Sequence, residues 1–214
     1  SYAAMVMGRG ETGPDPLQAC LLYSGNPELG GRQDLIRRVV LDIGTRWEIT
    51  TDVPLGPAAR ATVTAEIDRI DRFWSRFRDD STVAEMARRP GGFPIPTTDL
   101  PLLEWYRRLY AATDGAVTPL VGRTLADAGY DPQYSLTPAT EIAAVPAWDE
   151  TLTVDDGQLT VHRPALLDVG AAGKGFAVDR IAEIVAGQCT RSIVDAGGDM
   201  VLTGYDRPLR IALE

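Results

Sequence analysis

The chain has 214 residues, 44% apolar and 24% charged, a composition that fits a folded domain and excludes a low-complexity or collagen-like chain. A net charge of -9 argues against a phosphate-backbone partner, and the sequence offers no run of about 20 apolar residues for a membrane span. Two cysteines and one histidine leave no basis for a disulfide scaffold, a thiolate zinc site or a Ser-His-Asp triad.

Residues 1–34 are rich in Gly and Pro without a sustained period and read as an irregular N-terminal arm, ahead of a folded domain over 35–214. Within the arm, Gly8-Arg-Gly-Glu-Thr-Gly13 spells G-x-G-x-x-G, but Pro14 and Pro16 stand where a helix would have to open, so the match is chance. Leu17-Gln-Ala-Cys20 spells a lipoprotein box without the charged and apolar regions that precede one.

The run Val39–Thr51, with Trp47 and Ile49 alternating, predicts a strand. Gly56-Pro57 opens a helix on which Val63, Ile67, Ile70, Trp74 and Phe77 form one apolar stripe, with Asp68, Arg69, Asp71 and Arg72 on a solvated face. A second helix is expected from Leu102 to Ala112, ended by Asp114-Gly115. Thr151–Val161 reads as a hairpin turning at Asp156-Gly157, with His162 a structural residue just past it. A short strand at Leu166–Val169 leads into Gly170-Ala-Ala-Gly-Lys-Gly175, then a helix carrying Ile181, Ile184 and Val185, a strand at Ser192–Asp195, and another from Leu209. Strands interleaved with helices give an α/β or α+β fold, a mixed sheet flanked by helices.

Of the 21 basic residues, 20 are arginines; the one lysine, Lys174, lies between glycines at the start of the predicted helix. A glycine turn feeding a helix N-terminus suits a diphosphate, because free amides and the helix dipole attract anions while glycine permits close approach. The spacing is not that of a P-loop. Asp168, Asp179, Asp195 and Asp199 surround the glycine turns, where carboxylates suit a hard cation or nucleotide hydroxyls.

Asp168-Val-Gly-Ala-Ala-Gly-Lys-Gly-Phe-Ala-Val-Asp179 resembles the D-hydrophobe-G-G-x-A-K-G-[YF]-A-x-D signature of the ApbE-type flavin transferases (FAD:protein FMN transferases). Ile43-Gly-Thr45, Phe77-Arg-Asp-Asp-Ser81, Asp114-Gly-Ala-Val-Thr-Pro-Leu-Val-Gly122 and Asp195-Ala-Gly-Gly-Asp199 are similar, in the same order, to the family's M-G-T, Y-R-x-x-S, D-G-x-F-D-P-x-x-G and N-x-G-G-D. The likeness covers residues 37–214. It implies an ApbE-like fold and Mg²⁺-dependent transfer of FMN from FAD to a Thr or Ser hydroxyl of an acceptor flavoprotein, with release of AMP.

The same resemblance assigns residues. Ile43 and Phe77 pack on the flavin, Lys174 contacts the phosphates, and Asp168 and Asp179 orient nucleotide or substrate groups. Ala116, Val117 and Thr118, with Gly197, Gly198 and Asp199, complete the cofactor site, and the carbonyl of Gly173 is a magnesium ligand. The family's later T-S-G and H-I-x-D-P segments and its late Asp and Thr have no counterpart here. The expectation is a chain short of the family's C-terminal part, either a fragment of a longer protein or one completed by another chain, with the catalytic base in that part. The family commonly sits at the outer face of the bacterial cytoplasmic membrane. A flavin-binding module without transferase activity and a plain interaction domain are the alternatives.

Overall fold

The computed structural model describes residues 46–206 in full, and the backbone of 20–22, 37–43 and 45. Strands β1 (Cys20–Leu22), β2 (Arg37–Ile43) and β3 (Thr45–Thr51) open the larger sheet. The single strand expected over 39–51 is two: β2 and β3 pair antiparallel from Ile43↔Thr45 to Arg37↔Thr51. The sequence marks the reversal only with a glycine at 44 and no paired turn residues. The arm predicted over 1–34 contributes β1 to the sheet edge, and its other residues lie outside the described ones.

Pro57 sits at the first position of α1 (Pro57–Trp74), where its missing amide is no loss. The stripe Val63, Ile67, Ile70 and Trp74 is buried as the spacing predicts. Phe77 is not part of that helix. Ser75 turns extended (φ -76, ψ 118) and ends α1, which frees the next residues to face elsewhere. Ser81 caps α2 (Thr82–Arg88), its Oγ accepting from the Ala84 amide at 3.0 Å. Then come β4 (Gly91–Pro94), α3 (Leu100–Ala112), α4 (Gly122–Asp127) and α5 (Trp148–Thr151). Next are β5 (Leu152–Asp155), β6 (Gln158–Val161), α6 (Gly173–Ala186), β7 (Ser192–Ala196) and β8 (Asp199–Thr203).

The strands form a five-stranded sheet, β1-β2-β3-β7-β8, and a three-stranded one, β4-β6-β5, with antiparallel pairing throughout. The class is α+β. Helix α6 lies against β7, β8 and α1, so the two long helices cover one face of the larger sheet. Trp47 and Ile49 of β3 and Val194 and Ala196 of β7 are buried in that core. The hairpin turns where expected, with Asp156 (φ 45) and Gly157 (φ 73) both left-handed.

Two predictions meet a different outcome. Residues 166–169 form no strand; the Asp168 amide instead donates to the Pro119 carbonyl at 2.7 Å, tying the stretch to a loop rather than a ladder. Arg69 does not belong to a purely solvated face. Its guanidinium reaches buried Asp99 at the start of α3 while also pairing with Glu66. The strand predicted from Leu209 lies outside the described residues.

Candidate functional site

A cleft of about 260 Å³ opens where α1, α6 and β3 meet. Its floor is apolar, made by Trp47, Ile67, Ile70, Trp74, Leu102 and Ala177. The polar rim comes from two chain segments far apart in sequence, the turn after α1 (Arg76, Phe77) and the glycine turn before α6 (Asp168, Lys174).

Local sequence shapes that turn. Asp168 Oδ1 accepts from the Gly170 amide at 2.7 Å, and a Cβ on Gly170 would stand 2.8 Å from the same oxygen, so a glycine suits the position. The Ala172 amide donates to the hydroxyl of buried Tyr106 at 3.2 Å. No side chain caps α6, so its first amides, at Lys174 and Gly175, lack a capping partner. A Cβ on Gly175 would meet nothing within 4 Å, so this glycine keeps open space at the helix start rather than a tight packing. At Gly173 a Cβ would come within 2.8 Å of Val169 Cγ2; the side chain at 169 accounts for glycine here in place of the family's alanine.

Lys174 lines the cleft, and its Nζ lies 3.2 Å from Asp199 Oδ2, both side chains part-exposed. Asp168 is engaged on both oxygens: Oδ2 holds Arg76 Nε at 2.5 Å while Oδ1 holds the turn amide. Phe77 borders the cleft, but its ring already has company. The Arg76 guanidinium lies 4.2 Å from its centroid, Tyr134 stacks on it at 5.4 Å and 7°, and Tyr130 meets it edge-on at 5.4 Å. Tyr134 is held there in a left-handed backbone conformation (φ 50) by a turn in which Asp131 Oδ1 accepts from the Gln133 and Ser135 amides. Burial pushes the Tyr134 phenol up from its ordinary value.

The structure gathers Phe77, Asp168, Gly173 and Lys174 at the cleft, with Asp199 against the lysine. It does not bring Ala116, Val117, Thr118, Asp179, Gly197 or Gly198 to the lining. Thr118 is buried, its hydroxyl accepting from the Leu120 amide at 3.2 Å. Its neighbours serve as scaffold: Pro119 holds Asp168, and a Cβ on Gly122 would collide with the Leu166 carbonyl at 2.4 Å. Gly197 (φ 62) and Gly198 (φ 100) form the β7–β8 turn, with Asp195 Oδ1 accepting from the Gly198 amide at 2.8 Å. Asp179 is exposed on α6, and the side chain of Ile43 lies outside the described residues. Sequence reasoning missed Arg76, Tyr130 and Tyr134, because nothing local signals that an arginine at 76 meets a carboxylate 92 positions on.

Among the described residues, no group of three Asp, Glu, His or Cys side chains converges as a metal site. Asp168 and Asp199 are both engaged by side-chain cations, and Gly173, whose carbonyl is the predicted magnesium ligand, is the first residue of α6.

Comparison with known proteins agrees with the motifs. Residues 43–214 match the ApbE family. A curated FAD:protein FMN transferase of Klebsiella pneumoniae (strain 342) is 28% identical over 221 residues, covering 92% of this chain and 63% of the relative, so the chain spans less than two thirds of that protein. Among solved structures, the flavin transferase ApbE from Vibrio cholerae superposes with a TM-score of 0.66 at 23% identity, covering 83% of this chain and 63% of that one. The apo flavinyl transferase ApbE from Pseudomonas stutzeri gives 0.65 at 20% identity, over 94% and 67% of the two chains.

Proposed function

The chain belongs to the ApbE family, and on that premise we propose that its cleft binds FAD and that the whole protein transfers FMN from FAD to a Thr or Ser hydroxyl of an acceptor flavoprotein. In that reaction the hydroxyl oxygen forms a bond to the FMN phosphorus, the bond from that phosphorus to the bridging oxygen breaks, and AMP leaves carrying that oxygen. The hydroxyl proton passes to a base proposed to lie in the part of the family's length that this chain does not span. The observation carrying this reading is Lys174, placed on the uncapped start of α6 at the rim of an apolar cleft. A cation beside free amides complements a diphosphate, and an apolar floor complements a planar ring.

The cleft, at about 260 Å³, sits at the small end of ligand sites, which span roughly 300–1,000 Å³. It has room for the ring end of the dinucleotide, with the phosphates at the rim. A flavin stacked on Phe77 takes the place that Tyr134 holds in this structure. Both oxygens of Asp168 being engaged, its proposed part is to fix the turn rather than to grip the nucleotide.

Magnesium dependence belongs to the same proposal. The described residues bring no carboxylate set to the Gly173 carbonyl, so they do not by themselves fit the ion. That feature favours a second reading, in which these residues hold the flavin without transferring it. An envelope location is likewise proposed; among the described residues no helix is long and apolar enough to cross a membrane.

Titrating the chain into FAD and following flavin fluorescence tests binding: saturable quenching is expected, and none at high micromolar FAD would overturn both readings. Incubation with FAD, Mg²⁺ and an acceptor carrying the target Thr then separates them. An acceptor mass raised by one FMN supports transfer, and an unchanged mass alongside binding supports the module.

A further inference from the structure

The proposed chemistry leaves one buried cation unused. Arg76 is 5% exposed and lines the cleft. Its Nε donates to Asp168 Oδ2 at 2.5 Å and its Nη1 to the Tyr130 carbonyl at 2.7 Å, but Nη2 is buried without any acceptor. A buried donor left unpaired is destabilising, so its persistence beside a cleft points to a partner that arrives with a ligand. The surroundings narrow the partner's chemistry. Asp168 already neutralises Arg76, so the pair offers a directed N–H rather than net positive charge. The rings of Phe77 and Tyr130 lie 4.2 and 4.6 Å from the guanidinium carbon, and Tyr130 is itself exposed. A neutral carbonyl on the edge of a flat aromatic system fits such a donor better than a phosphate does. The part-exposed Lys174 is the cation suited to phosphate.

We propose that Arg76 is a specificity-determining residue whose Nη2 donates a hydrogen bond to a carbonyl oxygen of the flavin ring. The proposal rests on the flavin reading above and deepens it. The test measures affinities of the full chain for FAD, riboflavin (the ring without a diphosphate) and ADP (the diphosphate without the ring). Flavin fluorescence reports the first two, and competition against FAD the third. Arg76→Met removes the donor but strands Asp168 and threatens the fold. Arg76→Lys keeps a cation for Asp168 while lacking the second planar donor, and carries the decision.

The expected result is a loss of about tenfold in affinity for both FAD and riboflavin in Arg76→Lys, with ADP affinity within about twofold of the parent. Parent-like affinity for all three ligands would overturn the proposal and leave Arg76 a structural residue. Loss of ADP and FAD affinity with riboflavin unchanged would overturn it in favour of a phosphate contact. If the parent binds neither FAD nor riboflavin, the flavin reading itself fails and takes this proposal with it, a result visible before any variant is made.

Discussion

Two cations face one cleft in different electrostatic states. Arg76 is buried and matched by Asp168, whereas Lys174 is part-exposed and shares Asp199 with solvent. A pair of the second kind contributes at most about 1 kcal/mol to folding, because water screens it and the long side chain loses entropy in it. Lys174→Ala should therefore change the unfolding free energy by less than about 1 kcal/mol in urea titration, yet weaken FAD roughly tenfold by losing a charge-assisted contact. Unchanged FAD affinity would take Lys174 out of the site. Glu66 makes a pH prediction at the same scale. Hydrogen bonds from Arg69, ahead of charge attraction from Arg69 and Arg180, hold its carboxyl below the ordinary 4.5. The folded-state value is thus the lower one, so the stabilisation is complete above the unfolded value and is lost as pH falls through the folded value. Melting midpoints should drop on acidification below about 4.5, and Glu66→Gln should flatten that part of the profile. An unaltered acid limb in the variant would show that the pair contributes nothing.

Elements are joined here by polar groups that no sequence pattern advertises. Asp99 is fully buried at the start of α3 and ties that helix to α1: Arg69 Nη1 and Nη2 grip its two oxygens at 2.9 and 2.7 Å, and Trp74 Nε1 donates at 2.8 Å. Asp99→Ala would strand the Trp74 indole N–H and leave Arg69 paired with Glu66 alone, and should lower unfolding stability by about 1–3 kcal/mol. Chemical denaturation measures this directly, and a loss under 1 kcal/mol would mean that the two helices dock through apolar contacts alone. The contrast explains what could be read from the sequence. Periodic features were legible: the stripe from Val63 to Trp74, the alternation of Trp47 and Ile49, and the Asp156-Gly157 turn each follow from spacing within one element. The reversal between Ile43 and Thr45, the unpaired stretch at 166–169 and the Arg69–Asp99 bridge depend on partners elsewhere in the chain, which local patterning does not encode. The site divides in the same way. The glycine turn with Lys174 is a local motif and was visible; Arg76 becomes meaningful only when Asp168 is folded against it.

At the scale of the molecule, the cleft is a seam. Its walls come from β3, α1, α3, the loop at Tyr130 and the start of α6, segments drawn from residues 47–177. No one of these segments makes a binding surface alone, so binding requires the folded chain. A ligand seated in such a seam binds the native form and not the unfolded chain, and it stabilises by mass action. At a free FAD concentration of 100 times its dissociation constant the gain is about 2.7 kcal/mol. For a domain of this size each kcal/mol moves the midpoint by about 2–4 °C, so FAD should raise it by about 5–11 °C. Circular dichroism is the suitable probe, since flavin absorbs the emission of the tryptophans. Lys174→Ala should need about tenfold more FAD for the same shift. A midpoint that stays fixed at millimolar FAD would show that the folded chain does not bind the flavin.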